Sequence, residues 1–585
     1  MRFYLSFLFC CGFLSLFAQK KDLRTPFEQR KDYSATYFET IEFYEKLAET
    51  FPKQMQLLSY GSTDAGYPLH LAVLSTSGEF SPVALQRENK RILMVNNAIH
   101  PGEPCGVDAT MLLFRDYLTD KDKQKDLTRT VIIAVPFYNI GGGLNRGAYS
   151  RANQDGPHDH GFRGNAKNLD LNRDFIKNDS KNARAFVEIW QEWQPDAFLD
   201  NHTSNGADYQ YTMTMIATQK DKLAPPLADY LQSDMLPRLY ADMQAADREM
   251  TPYVNVRNTP DEGIYGFLDL PRYSSGYAAL HNAISFMGET HMLKPFRDRV
   301  LSTYAFMEVL VRKVNEDADK IGKLREITRQ AAKKQTTFPL QWKIDTEAKE
   351  ELLFKGYTAE YKKSEVSGTD RLYYDRTAPY EKNIPFYNTY QAVLSVRKPR
   401  AYIFPQAYTE IAQLLRNNGA EVGQLNEKVT LPVQVYYIES YETTDFPYEG
   451  HYLHSNVKVR AEIREQTYRK GDFVVFTDQT ENRFIVETLE PQAPDSYFAW
   501  NFFDGILMQK EYFSSYVFED IAAEMLRNDP DLRAKLEKKK AEDAEFAASA
   551  RAQLDFVYRH SPYYEPTYNL YPVARLVSEE EILKK

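Results

Sequence analysis

From Tyr37 to Thr50 the apolar residues recur at helical spacing and stop just before Pro52, which predicts an amphipathic helix. Leu57–Ser59 and Leu69–Leu74 then read as two strands around a turn carrying Gly61 and Gly66. Ile92–Asn97 is an almost unbroken apolar run, the pattern of a strand buried on both faces. Helices are predicted over Val107–Leu118 and Ala183–Trp193, and strands over Val131–Pro136, Asp196–Asn201 and Ile284–Met287. Strands alternating with helices predict an α/β fold with a mixed, mostly parallel sheet and helices on both faces. Asn139–Asn168 is Gly-rich and without period, and a loop of that length inside a compact domain is usually functional.

The pattern changes after about Lys333. Strand Ala401–Phe404, helix Tyr408–Asn418 with Gly419 behind it, and strands Val433–Tyr437, Val457–Ile463 and Phe473–Phe476 predict a second α/β or α+β domain. Asp529-Pro530 is a helix start, with Leu532, Leu536, Ala547, Ala550, Leu554 and Val557 along one face of a long charged helix. The aromatic run Tyr497–Gly505 is too apolar to stay exposed and is assigned to a core or an interface. At 585 residues the chain exceeds one ordinary core. The expected division is a leader over 1–18, a first domain over 19–335 and a second, accessory domain over 336–585.

Charge narrows the partners. The net charge of -10 is spread along the chain with no basic block, which argues against nucleic acid. Met1-Arg2, the apolar stretch Phe3–Phe17 and Ala18-Gln19 read as a secretory signal peptide, too short for a membrane span. Large Phe9 before Cys10 argues against a lipid anchor there. Removal of the leader leaves Cys105 as the lone cysteine, and a secreted chain with no internal disulfide points to a bacterial periplasm. Nothing in the pattern fixes an oligomeric state.

The chemistry begins in RILMVNNAIHPGEP, where a strand runs straight into His100 and Glu103. Alone, such a pair is a polar turn. His202, at the strand end FLDNHTS, supplies a third ligand type where α/β sheets present ligands. Hydrolytic zinc sites hold the ion with three such side chains and leave one position open for water. Asn172-Arg173 in NLDLNRDF is a pair able to grip a carboxylate, the alternative being a solvated arginine at a helix start. Glu289 ends the apolar strand FMGETH, an expensive place for a carboxylate unless it is paired or functional.

With these residues in order, the chain from the helix YFETIEFYEKLAETFP to about Pro295 resembles the zinc carboxypeptidases of the carboxypeptidase A type. The resemblance implies one Zn²⁺ per chain held by His100, Glu103 and His202, with Asp170 orienting the first histidine. It implies Asn172 and Arg173 as the clamp on the substrate's free C-terminal carboxylate, and Glu289 as general base. Arg151 matches the arginine that stabilises the oxyanion, with Arg146 its competitor. Tyr273 matches the tyrosine that closes over substrate, with Tyr277 its competitor.

Some features depart from the pattern. Gly102 stands where the family often carries an arginine inside H-x-x-E. His158-Asp159-His160 is assigned to a solvated loop, and His451 and His454 to opposite sides of a strand, without shared metal. Asp261, Glu262 and Asp269 favour a basic terminal residue only if one of them faces the pocket; exposed carboxylates are the alternative. The expected function is a zinc metallocarboxypeptidase acting on peptides. The competing readings are an amidase of cell-wall peptides or N-acyl amino acids, and a non-catalytic peptide-binding relative.

Overall fold

The structure is a computed structural model and describes residues 22–577. The expected leader lies outside them. The first half is built on an eight-stranded sheet. Its strands are β1 (Met55–Ser62), β2 (Pro68–Leu74), β3 (Arg91–Asn96), β4 (Thr130–Val135), β5 (Ala197–Ser204), β6 (Met213–Ala217), β7 (Met250–Pro252) and, after the short β8 (Ile264–Tyr265), β9 (Ile284–His291). The order is β1-β2-β4-β3-β5-β9-β6-β7. β4, β3, β5 and β9 run parallel to one another, while β1, β2 and the β9–β6 contact are antiparallel. The sheet is therefore mixed.

Alternation along β3 explains the layers. Leu93 and Val95 join a core with Val107 and Phe114 of helix Cys105–Thr119 and Phe306 of helix Phe296–Glu316. Ile92 and Met94 point the other way, toward Phe186 and Trp190 of helix Lys181–Trp193 and Tyr277 of helix Ser274–Leu280. The carboxyl ends of β3, β5 and β9 thus emerge side by side with both faces covered. The long loop opens on a short helix, Ile140–Leu144, whose N-terminus is capped by Asn139.

The second half is rich in sheet. β10 (Thr337–Ile344) pairs with β13 (Tyr390–Arg397), and β11 (Glu350–Lys363) with β12 (Asp370–Tyr387) forms a long hairpin joined to β8. β14 (Ala401–Phe404), β15 (Gly423–Gln424), β16 (Val429–Thr443), β17 (His454–Tyr468), β18 (Phe473–Phe476) and β19 (Ala574–Leu576) make a six-stranded sheet whose pairs are all antiparallel. The antiparallel pairing makes this part α+β rather than α/β. Tyr497, Phe498, Trp500 and Phe503 are buried in the same core as Trp190 and Tyr277, so the aromatic run fills the junction of the two halves.

One expected helix is three. Pro530–Glu542, Ala544–Ala548 and Ala550–Arg559 are separated at Asp543 and Ser549, whose side chains accept from the backbone N–H of Phe546 and Ala552. Asp and Ser compete with helical hydrogen bonding and favour such caps. Breaking there lets Leu536, Phe546 and Val557 pack into one small cluster with Phe518. Among the described residues no helix is long and apolar enough to cross a membrane.

Candidate active site

His100 and Glu103 sit on the tight turn after β3, closed by the Glu103 N–H donating to the His100 carbonyl at 2.8 Å. His202 stands near the end of β5, two residues beyond Asp200 and so on the same side of the strand. The three side chains are buried, and one ligand atom from each lies within 4.8 Å of the others. His100 turns Nε2 to Asp170 Oδ1 at 2.9 Å, and His202 turns Nε2 to Asp200 Oδ2 at 2.9 Å. Each carboxylate fixes a ring and leaves Nδ1 pointing inward, as partners behind metal-bound histidines do. His202 Nδ1 lies 3.3 Å from Glu103 Oε2. His100 Nδ1 lies 3.2 Å from Glu103 Oε1, yet makes no hydrogen bond. A buried imidazole nitrogen turned on a carboxylate without bonding it fits two ligands of one cation. The N, N, O donor set suits zinc.

The charges around the site shift its titrating groups in both directions. Burial pulls the His202 imidazole down, but Asp200 beside it, with Glu103 and Glu289, raises it well above its ordinary value. Burial alone would raise Glu103, yet His100, Arg151 and His202 hold it well below the carboxylate range. Asp170 is likewise buried, and His100, Arg163 and Arg173 depress it. Glu289 behaves oppositely: burial first, and then the charge of Glu103, push its carboxyl up to about 7.

His100, Glu103 and His202 line a cavity of about 720 Å³ together with Arg151, Arg163, Asn172, Arg173, Tyr273 and Glu289. Arg151 donates from Nη2 to Glu103 Oε1 at 2.7 Å. A Cβ on residue 102 would stand 2.3 Å from Arg151 Nε. Gly102 therefore makes room for an arginine arriving from the loop, on the spot where a side chain of its own would project. Asn172 Nδ2 stands 3.5 Å from His202 Nε2, and Asn172 Oδ1 accepts from the Ser274 N–H at 3.1 Å. The Arg173 guanidinium lies 4.6 Å over the Tyr273 ring.

The competitors lie elsewhere. Arg146 donates to the Ser34 carbonyl at 2.8 Å and stacks on Tyr33, away from the cavity lining. Tyr277 is fully buried and donates to Asn418 Oδ1 at 2.7 Å. His158 is exposed as expected, but His160 is buried, with its N–H and C=O paired to Gly147. That pairing ties the loop to itself. His451 and His454 bond separately to Asp179 and Asp504. Asp261 pairs with Lys382, Glu262 accepts from Asn258, and Asp269 is buried against Lys222, so none of the three faces the cavity.

Sequence reasoning missed Arg163, which donates from Nε to Asp170 Oδ2 at 2.9 Å and lies 3.5 Å from Glu103. Its signal was available: an arginine seven residues ahead of Asp170, the third in a loop already assigned to function. Asp200 was also missed, although an acid two places before a strand-end histidine shares its face. Tyr448 and Glu449 of the second half reach the site as well, and had no local signal.

Two histidines and a glutamate converge at the ends of parallel strands with a raised carboxylate beside them, an arrangement able to hold a metal ion next to a proton acceptor. In comparison with known proteins, residues 40–281 match the zinc carboxypeptidase family model. The chain is 21% identical to Carboxypeptidase 2 of Trichophyton equinum over 443 residues, covering 72% of this chain and 76% of that protein. Carboxypeptidase 2 of Trichophyton rubrum is 20% identical over similar shares, 72% and 76%. Among solved structures, carboxypeptidase A from Helicoverpa armigera is similar over 50% of this chain and 74% of its own, with 15% identity and a TM-score of 0.38. A metallo-carboxypeptidase from Burkholderia cenocepacia is similar over 48% and 69%, with 15% identity and a TM-score of 0.35.

Proposed function

We propose that the protein removes the C-terminal residue from peptides, using one zinc ion held by His100, Glu103 and His202. The observation that carries this reading is the placement of Glu289 and Arg173 in the same cavity as the converging His100, Glu103 and His202. When bound, zinc supplies Lewis acidity toward the scissile carbonyl and lowers the pKa of a water to about 7. Glu289 accepts the proton of the attacking water and passes it to the leaving amine. Its carboxyl, lifted by burial, is matched to both halves of that transfer. Arg151, which shares Glu103 Oε1 with Arg163, faces the charge that develops on the carbonyl oxygen. Asn172 and Arg173 hold the terminal carboxylate, and Tyr273 closes over it.

The cavity also suggests a preference. Ile216, Phe267 and Met287 line it with Tyr253, and its acidic residues are Glu103 and Glu289 at the reacting centre. An apolar terminal side chain fits this wall. The leader and the lone Cys105 support export to a bacterial periplasm, where cell-wall peptides are an alternative substrate for the same groups. Zinc analysis of the purified protein, with turnover of matched free-acid and amidated peptides, tests the reading. Zinc without preference for the free acid favours an amidase, and zinc without turnover a binding protein.

A further inference from the structure

The second half of the chain reaches into the candidate site through one turn. Tyr448 and His451 pair through both backbone hydrogen bonds, at 2.7 and 3.1 Å, leaving Glu449 and Gly450 as a two-residue turn. Both have positive φ, 52° and 82°. Such turns favour Asn, Asp or Gly at the first position, so a glutamate there is held against its backbone preference. Its carboxylate accepts from the Asp170 N–H at 2.6 Å. Beside it, the Tyr448 hydroxyl accepts from Arg173 Nε at 2.9 Å.

The turn is itself anchored. The Tyr448 ring stacks on Trp500 at 6.0 Å and 14°. Trp500 donates to Asp495 Oδ1 at 3.2 Å, and Asp495 accepts from the backbone N–H and Nε of Arg272, the residue before Tyr273. His451 bridges Asp179 and Asn501. The guanidinium of Arg173 is thus fixed on several sides: Tyr448 takes Nε, the Asn172 carbonyl takes Nη1 at 2.8 Å, and the Tyr273 ring lies under the plane.

We propose that Tyr448 is a positioning residue for recognition of the substrate's terminal carboxylate, and that the second half thereby completes the specificity site of the first. This rests on the reading of Arg173 as the carboxylate clamp. An arginine side chain has several rotatable bonds, and binding a carboxylate through two parallel N–H groups requires one orientation of the plane. Tyr448 sets that orientation before substrate arrives and lowers the ordering cost of binding. The chemistry at zinc does not pass through it.

The test uses the full-length zinc-loaded protein, N-benzoylglycyl-phenylalanine and its carboxamide. Tyr448→Phe keeps the ring on Trp500 and removes only the acceptor. We expect KM for the free acid to rise about tenfold, the size of one hydrogen bond to a charged group, with kcat within twofold. KM for the carboxamide, zinc content and Tm should stay as in the wild type. In an Arg173→Ala background, Tyr448→Phe should add nothing, because it acts through the missing guanidinium. Equal losses on acid and amide, an additive double variant, or an unchanged KM for the acid in an enzyme that prefers the acid would each overturn this inference alone. A wild type indifferent to the carboxylate would overturn the clamp reading and this inference with it.

Discussion

His202 and Glu289 are register partners across the parallel β5–β9 pair, so the candidate metal ligand and the candidate base stand at the same height on adjacent strands. Neighbouring strands lie about 4.8 Å apart, which sets a carboxylate beside the ion position without coordinating it. Glu289→Gln preserves shape and loses the proton acceptor. It should lower kcat by about 10⁴-fold or more while zinc content and substrate binding persist. Single-turnover kinetics with metal analysis checks this, and near-wild-type kcat would place the base elsewhere.

The metal should depend on two tiers of residues. His100→Ala or His202→Ala should lose zinc while the fold survives, because the ligands hang on a preformed sheet. Asp200→Asn and Asp170→Asn should keep the metal but weaken its affinity about 10–100-fold, since each carboxylate orients a histidine through Nε2. Competition against a chelator reads both effects, and unaltered affinity in the Asp variants would contradict the orienting role.

Arg173→Ala removes the proposed clamp and leaves His100, Glu103 and His202 in place. KM should rise strongly for free-acid peptides and much less for amidated ones. Among free acids, Phe or Leu at the terminus should outrank Lys or Arg, because the cavity wall carries Ile216, Phe267 and Met287 and no distal acid. A preference for basic termini would show that another carboxylate enters the pocket on binding.

Gly102→Ala should mimic the loss of Arg151. Its methyl would press on Arg151 Nε and Cδ and on the Gly161 carbonyl, displacing the guanidinium from Glu103. We expect kcat to fall about 10²-fold, as for Arg151→Ala, with little further loss in the double variant. Full additivity in kcat would mean that the two positions act independently.

Asp108, buried on the helix after the site turn, has its carboxyl pushed up to about 7 by burial, against the pull of Ser34 and the Ala35 N–H. The folded chain therefore binds this proton more tightly than the unfolded one. Stability should fall as pH rises from about 4 to about 7, by up to about 4 kcal/mol at the limit of the full shift. Asp108→Asn should flatten that slope and be the more stable protein at pH 8. Thermal melts of the two across pH 4–8 decide it; parallel curves would show Asp108 ionised in the fold without cost.

Much of the first half was legible because its signals are local. The apolar run of β3, the turn holding His100 and Glu103, and the strand ends at His202 and Glu289 each carry period and polarity within a few residues. The sequence by itself determined the candidate ligand types, their order and the mixed sheet that gathers them. Tertiary structure alone decided which arginine reaches Glu103, since Arg151 and Arg146 are alike in the chain and differ only in where the loop folds. It also separated Tyr273 from Tyr277, four residues apart, by turning one into the cavity and the other into the core. The long helix broke into three because packing Phe546 beside Leu536 outweighed a continuous helical pattern. The partners of Arg173 and Asp170 were least legible of all. Arg173 and Tyr448 are separated by 275 positions and Asp170 and Glu449 by 279, and hydrogen bonds at such distances leave no periodicity in the chain. They exist because a shared aromatic core seats the second half against the first.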